Sequence, residues 1–230
     1  KAMSWNIVDH ITIYRNKEWY AAHPNVVRTP NGDLLTIFHR STHLGHSHHG
    51  HPLFDLRGCR SQDDGKTWHG PELISCDPRG GIVDFGTHVL KDESIFLHAS
   101  TVELVPQGDS TPTHTSWLSR PGIPYWIRSR DNGRTWSDPK RFPRLPDCVW
   151  GHPSEHSGVC RSQLIELDDG RILLPSKATD VTHEFRYFGM MRISRDLGEN
   201  WEYGGRIAED PIAHFSEPAM YRTPGGRLLV

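Results

Sequence analysis

The sequence predicts an all-β protein, a β-propeller of four-stranded antiparallel blades, and two repeated signals carry that prediction. One short phrase occurs three times, at a spacing of roughly 65–70 residues, which is too regular for chance and too long for a helical solenoid. The copies begin at Ser61, Ser129 and Ser194 and read SQDDGKTW, SRDNGRTW and SRDLGENW. The second signal is a tight turn between two apolar strands, which recurs upstream of these copies.

Each copy of the phrase is expected to form the hairpin turn between the third and fourth strands of a blade. Its Ser and Asp side chains can accept hydrogen bonds from backbone N–H groups a few residues on, which closes a turn without a helix. The glycine of each copy can take the left-handed conformation that such a turn often requires. The third copy is degenerate, because Leu197 replaces a polar residue and Asn200 replaces Thr.

The tight turns place the other strands. They fall within residues 29–35, 89–97, 167–174 and 223–230, and the second of them lacks glycine. Each unit therefore consists of inner strand, tight turn, second strand, variable loop, third strand, repeated phrase and fourth strand. The predicted blades cover about 23–75, 82–143 and 156–209, and a fourth begins at Glu217 and continues through 217–230. We expect these three and a half blades, residues 1–230, to be one domain and part of a longer ring, because open strand edges favour aggregation.

Composition restricts the class of partner. Apolar residues make up 35% of the chain, and the formal net charge is −2. Neither nucleic acid nor an anionic membrane surface is favoured by that charge. No apolar run approaches the ~18 residues that a membrane span requires.

The sixteen histidines are unevenly distributed. All but His10 and His69 fall in segments predicted to line one mouth of the ring, with His23 and His88 expected at the starts of inner strands. Histidine changes charge near neutral pH and is the commonest metal ligand, so the bias predicts chemistry at that mouth. In the first variable loop, the candidates for a divalent metal are His46, His48, His49 and His51. A solvated loop explains the same run equally well, and no cofactor is predicted.

The repeated phrase resembles the Asp-box, or BNR repeat, of the sialidase superfamily, and the resemblance covers about residues 20–230. It implies a six-bladed propeller with three arginines that bind the substrate carboxylate, an Asp acid/base, and a Tyr nucleophile assisted by a Glu. Glu217 matches the position of that Glu. The family's first arginine is replaced by His23, and the segment of the acid Asp reads His51-Pro52-Leu53, with Asp55 nearby. These departures favour a glycan enzyme other than a true sialidase, and the resemblance implies a secreted or periplasmic protein.

The predicted function is a glycoside hydrolase that cleaves a terminal sugar, with acidic sugars among the candidate substrates. Glu217 would act as a base or nucleophile-assisting carboxylate, His23 as acid/base or sugar-oxygen ligand, and Arg40 as an anion clamp. The predicted substrate-binding residues are His88, His156, Asp180, Lys177 and Trp117.

Two alternatives remain open at the level of sequence. A polysaccharide lyase would use a neutral His to abstract the proton beside a uronate carboxylate. A non-catalytic lectin-like module would bind sugars on an aromatic platform. In all three cases the partner is a glycan, with no nucleic acid and no membrane span.

Overall fold

The computed structural model describes residues 9–42, 53–78, 80–104, 119–144, 161, 163–180, 186–215 and 217–230. Within these ranges the chain forms fifteen β-strands and no helix. Every strand pairing is antiparallel, which confirms the predicted all-β class. None of these residues forms a helix with the length and hydrophobicity that a membrane crossing demands.

The first two sheets follow the chain in simple up-and-down order. The first consists of β1 (Trp19–Arg28), β2 (Leu34–Thr42), β3 (Asp55–Ser61) and β4 (His69–Ser75). The second consists of β5 (Gly80–Val89), β6 (Ile95–Leu104), β8 (Tyr125–Ser129) and β9 (Lys140–Arg141), with β7 (Ser119–Pro121) also paired to β6.

The third sheet repeats this order, and a fourth unit begins after it. The third consists of β10 (Ile165–Glu166), β11 (Ile172–Asp180), β12 (Arg186–Ser194) and β13 (Glu202–Ala208). A hairpin of β14 (Tyr221–Arg222) and β15 (Leu228–Leu229) follows. Successive four-stranded meanders of this kind have the topology of propeller blades.

All four predicted tight turns form between the first and second strands of a unit. Each is closed by a backbone hydrogen bond, and the donors Thr29, Leu90, Leu167 and Thr223 bond carbonyls four residues on at 2.8–2.9 Å. Three turns place Gly at the same left-handed position, as Gly32 does with φ of 93°. The second turn has Glu93 there, with φ of 63°.

The three copies of the repeated phrase form the same hydrogen-bonded turn. In the first, the Ser61 hydroxyl accepts from Gly65 N–H at 2.8 Å, and Asp63 accepts from both the N–H and the hydroxyl of Thr67 at 2.8 and 2.6 Å. The degenerate third copy keeps this pattern, because the Asn200 amide donates to Asp196 at 2.6 Å in place of the Thr hydroxyl. The Trp201 indole donates to Gly198 O at 2.9 Å and is buried.

Apolar seams join the consecutive units. The first seam packs Leu35, Ile37 and Leu56 of the first sheet against Ile82 and Phe85 of β5. The second seam joins Phe96 and Trp126 to side chains of the third sheet, and the third seam joins that sheet to the last hairpin through Met220. The core therefore lies between the sheets, as a propeller requires.

A polar contact reinforces the first two seams on the side of the tight turns. Arg60 of β3 forms an ion pair with Asp33 at 3.3 Å and donates to Asn132 O of the next repeated phrase at 2.7 Å. Arg128 of β8 repeats this arrangement one unit later with Asp92 at 3.4 Å and the carbonyl of Leu197. The turn of each following sheet is thereby fixed to the sheet before it.

Candidate active site

Four residues occupy one structural position in consecutive units. Counting back six residues from the first residue of each tight turn gives His23, Asp84, Arg161 and Glu217. His23 and Asp84 are each the fifth of ten residues in β1 and β5, whereas Arg161 and Glu217 precede β10 and β14. The expectation that His23 lies at the start of an inner strand is therefore wrong, because β1 already begins at Trp19. The sequence predicts that His23 and Glu217 face the mouth of the pocket, and we call the four equivalent positions the rim position.

His23 and Glu217 share an uncommon backbone conformation at the rim position. Their φ angles are 53° and 61°, in the left-handed region that non-glycine residues seldom occupy. In the described part of the chain, the four other non-glycine residues with positive φ lie in the tight turns or the repeated phrases. Conformations of this kind are concentrated at functional sites, where the surrounding structure holds them.

A β-bulge accounts for the orientation of His23. In the pairing of β1 with β2, Ala22 lies opposite His39 and Asn25 opposite Ile37, so two residues of β1 face Phe38. Pro24 has no N–H and cannot donate to the ladder, which favours a bulge at this point. The β5–β6 pairing also shifts by one residue, between Ile82 and Asp84. Glu217 is likewise followed by a proline, Pro218.

Asp84 forms ion pairs with two cationic side chains of the third unit. Its Oδ1 lies 3.2 Å from Arg161 Nε, and its Oδ2 lies 3.7 Å from Lys177 Nζ. The Asp84 side chain is 5% exposed, whereas those of Arg161 and Lys177 are 32% and 24% exposed. The guanidinium and the ammonium are partly exposed at the edge of this cluster, and groups of this kind can bind an anionic ligand.

The neighbouring seam contains a pair of histidines. His23 Nδ1 lies 3.2 Å from Nδ1 of His39, and the rings meet nearly edge-on at 85°. His39 of β2 is fully buried, with Phe54 stacked against it and Phe85 of β5 at its edge, at centroid distances of 5.0 and 4.9 Å. His23 itself is half-buried.

Arg40 lies on the other face of the first sheet. Successive strand residues alternate between faces, and His39 turns towards Phe85 of β5. The Arg40 guanidinium lies 4.1 Å from the centroid of the Trp19 ring and 3.4 Å from Asp55 Oδ2, with 14% of the side chain exposed. Asp55 also binds Arg57 at 2.6 Å. Arg40 therefore does not belong to the Asp84 cluster.

The expected position of His88 at the start of an inner strand is wrong. The strand β5 begins eight residues earlier, at Gly80. His88 is therefore the ninth of its ten residues and lies beside the tight turn. There His88 Nε2 lies 3.3 Å from His98 Nε2, and Leu164 N–H donates to His88 Nδ1 at 3.4 Å. It lines a separate cavity of about 340 Å³ between β1, β5 and β10, with Arg28 and Glu166.

The remaining predicted residues fall partly or wholly outside the described structure. Asp180 ends β11 and pairs with Arg186, but only its backbone is described. His156, Trp117 and the loop histidines His46, His48, His49 and His51 lie outside the described residues. Among the residues that are described, no group of three or more His, Cys, Asp or Glu is arranged to hold a metal ion.

Sequence reasoning overlooked Arg161 and gave no role to His39. The signal for Arg161 was present, since it is found by counting back six residues from Leu167, as His23 is found from Thr29. The pairing of His39 with His23 depends on the bulge, which shifts the registration of β1 and which alternation alone does not predict.

The four-stranded meanders, the three hydrogen-bonded Asp-boxes and the rim position together define a sialidase-like β-propeller. A sequence comparison with known protein families supports this classification, because residues 110–230 match the BNR repeat-like domain. The chain belongs to this BNR repeat-like family. Comparison with curated proteins gave no match.

Solved structures with the same fold include proteins of known and unknown activity. A protein of unknown function from Dyadobacter fermentans is 28% identical with a TM-score of 0.83, over 95% of this chain and 63% of its own. A Hadza microbial sialidase is 18% identical with a TM-score of 0.68, over 90% of this chain and 40% of its own. A leech intramolecular trans-sialidase, solved in complex with 2,7-anhydro-Neu5Ac, is 13% identical with a TM-score of 0.63. The match covers 91% of this chain and 46% of the trans-sialidase. The chain thus spans less than two thirds of each, and at 18% and 13% identity the likeness concerns the fold.

Proposed function

We propose that the protein is a glycoside hydrolase that removes a terminal, acidic sugar from a glycan. The observation that carries the proposal is the shared geometry of His23 and Glu217, which hold left-handed conformations at equivalent rim positions in different units. A backbone held in this way presents a side chain that ordinary strand alternation would not present. One imidazole and one carboxylate are the groups that general acid–base catalysis needs.

Each of the two residues has a role that follows from its surroundings. Glu217 is exposed, so its carboxylate is accessible as a base or as the partner that activates a nucleophile. His23 contacts His39 through Nδ1, and Nε2, on the other side of the ring, would be the atom that exchanges a proton with the glycosidic oxygen.

The acidic character of the sugar is inferred from the cluster around Asp84. Arg161 and Lys177 both lie beside Asp84, and their side chains are partly exposed. A guanidinium can bind a sugar carboxylate with two parallel hydrogen bonds, and the ammonium adds a point charge. These two cations are better placed for this role than Arg40, which contacts Trp19 and Asp55 on the other face of its sheet.

The test is activity of the intact protein on a panel of fluorogenic glycosides with neutral, uronic and sialic acid sugars. Glu217→Gln and His23→Ala should each lower kcat by about 10²–10⁴-fold on the preferred substrate. Glu93→Gln, an exposed carboxylate in a tight turn, serves as the control and should be unaffected. Full activity in both rim variants would rule out the assignment.

A polysaccharide lyase is the second candidate, and the His23–His39 contact favours it. One imidazole that hydrogen-bonds another can act as a base, while Arg161 and Lys177 would stabilise the anion beside a uronate carboxylate. A lyase product gains a double bond and absorbs in the near ultraviolet, so absorbance during digestion of uronate polymers separates the two enzymes. Binding across a glycan panel without any turnover would instead identify a lectin-like module.

A further inference from the structure

The contact between His23 and His39 restricts where protons can lie. Each neutral imidazole carries one N–H and one lone pair, so a hydrogen bond between two Nδ1 atoms requires one proton between them. The 3.2 Å separation of the Nδ1 atoms fits such a shared proton. One ring must therefore donate from Nδ1 and the other must accept there.

The surroundings of His39 favour its role as the acceptor. Its ring is fully buried between Phe54 and Phe85, where a positive charge would lose its hydration. Tyr20, whose ring lies 6.1 Å from that of Phe54, is an ionisable group of β1 near this seam. The half-buried His23 is the member of the pair that can carry a charge at smaller desolvation cost.

Charged groups on the adjoining strands are engaged elsewhere. Asp84 of β5 binds Arg161 and Lys177 of the third unit. Of the charged side chains of β2 and β3, Arg40, Asp55 and Arg57 contact one another on the opposite face of the sheet, and Arg60 binds Asp33 beside the tight turn. The Nδ1 atom of His23 contacts the imidazole of His39, which can accept a hydrogen bond there when it is neutral.

We propose that His39 is a positioning residue for His23. It accepts the Nδ1–H of His23, which fixes the orientation and the tautomer of that ring, so that Nε2 is the atom that gains and loses a proton. This inference rests on the proposed role of His23 in proton transfer. It adds a residue that touches no substrate and acts through another side chain.

Nitrogen-15 NMR of histidine-labelled intact protein reads the tautomers directly and needs no substrate. In the unmodified protein His23 should carry its proton on Nδ1 when neutral, and His39 on Nε2. In His39→Phe, His23 should revert to the Nε2–H tautomer that isolated imidazoles prefer. An unchanged tautomer of His23 in His39→Phe would overturn the proposal, whether or not a glycan substrate has been found.

Kinetics on the glycoside panel separate hydrogen bonding from packing. His39→Phe should lower kcat about tenfold with KM little changed, because a hydrogen bond to a charged group is lost. His39→Asn retains an acceptor near the Nδ1 position and should recover most of that loss. Equal impairment of the two variants would show that an acceptor near the Nδ1 position has no effect on kcat and would overturn the proposal.

The second histidine pair supplies a matched control. His98 is also fully buried and lies 3.3 Å from His88, but near the tight turn of its unit rather than at the rim. His98→Asn should leave both the tautomer of His23 and kcat unchanged. Thermal unfolding of all three variants confirms that each is folded. A complete lack of turnover would defeat the proposed hydrolase, while the tautomer comparison would still decide the role of His39.

Discussion

Asp84 Oδ1 lies 3.2 Å from Arg161 Nε, and these two residues occupy the same rim position in consecutive units. The ion pair therefore crosses from the inner strand of one sheet to the start of the next. Lys177 joins it from β11 at 3.7 Å. Ion pairs thus join the second and third sheets at the rim position. The apolar seam of Phe96 and Trp126 joins the same two sheets elsewhere.

Asp84→Asn should lower the free energy of unfolding by about 2 kcal/mol. The mutation leaves the two cations without their nearly buried carboxylate, and removing one member of such a pair is destabilising. Urea unfolding followed by circular dichroism measures the change. Asp169→Asn is the control, because Asp169 pairs with Arg171 on the surface and its loss should have no measurable effect. Equal stability of both variants would contradict a stabilising role for the Asp84 cluster.

Lys177→Met should raise KM for an acidic sugar about tenfold and change kcat little. The ammonium is expected to bind the sugar carboxylate in both ground and transition states, and a charge-assisted hydrogen bond is worth roughly a factor of ten. Initial rates at varied substrate concentration give the two constants. Lys140→Met, near the repeated phrase of the third sheet, removes an equal charge elsewhere and should alter neither. A fall in kcat without a change in KM would argue against this role.

Thr67→Val should make the protein unfold at a higher pH during acid titration. The Thr67 hydroxyl, the Thr67 N–H and the Ser61 hydroxyl hold the pKa of Asp63 at about 2, below its ordinary value of 3.8. A carboxylate with a lowered pKa contributes stability above about pH 3.8, and that contribution is lost as the pH falls towards 2. Removing the hydroxyl should raise the midpoint of acid unfolding by a few tenths of a pH unit. Thr67→Ser keeps the hydroxyl and should behave as the unmodified protein does.

Leu197→Asn should stabilise the protein by about 0.5–1 kcal/mol. Leu197 has φ of 58° at a place where the other two copies have Asp64 and Asn132, with φ of 61° and 63°. Asn tolerates the left-handed region better than Leu, and Leu197 is partly exposed, so little burial is lost. The midpoint of urea unfolding should rise. Leu197→Ala retains the strained conformation without the amide and should not show this gain.

Gly133→Ala should destabilise the protein more than Gly32→Ala, although both glycines have positive φ. A Cβ at Gly133 would lie 2.6 Å from Leu35 Cδ2 of the preceding sheet, whereas nothing lies within 4 Å at Gly32. The Gly32 variant measures the conformational term alone, about 1 kcal/mol, and overpacking of the seam should add about 1–3 kcal/mol. Equal losses in the two variants would show that the seam can relax around the added methyl group.

The elements with strong local chemistry could be predicted from the sequence. The Asp-boxes were recognisable because their Ser, Asp and Gly residues form the turn with contacts inside the motif itself. The tight turns were predictable even at Glu93, where the flanking apolar strands outweighed the absence of glycine. The equivalence of Glu217 and His23 was within reach, because each precedes a proline ahead of a tight turn.

Properties that depend on strand register were not predictable in the same way. The position of His88 was wrong because β5 begins at Gly80 and ends at Val89, which places His88 beside the tight turn that starts at Leu90. The separation of His39 from Arg40 follows from alternation, but which of them faces β5 is fixed by the seam with Phe85. The Asp84–Arg161 pair joins residues far apart in the chain, so only the packing of two sheets brings them together.

The extra residue beside Pro24 has a consequence for how this scaffold diversifies. A regular strand offers a side chain only two directions, whereas an inserted residue re-aims one position and leaves the pairing closer to the tight turn intact. Inserting or deleting one residue at the same place in another repeat would then change which side chain occupies the rim position. The strand pairing next to the tight turn would stay the same. New specificities can arise in this architecture by shifting register as readily as by exchanging side chains.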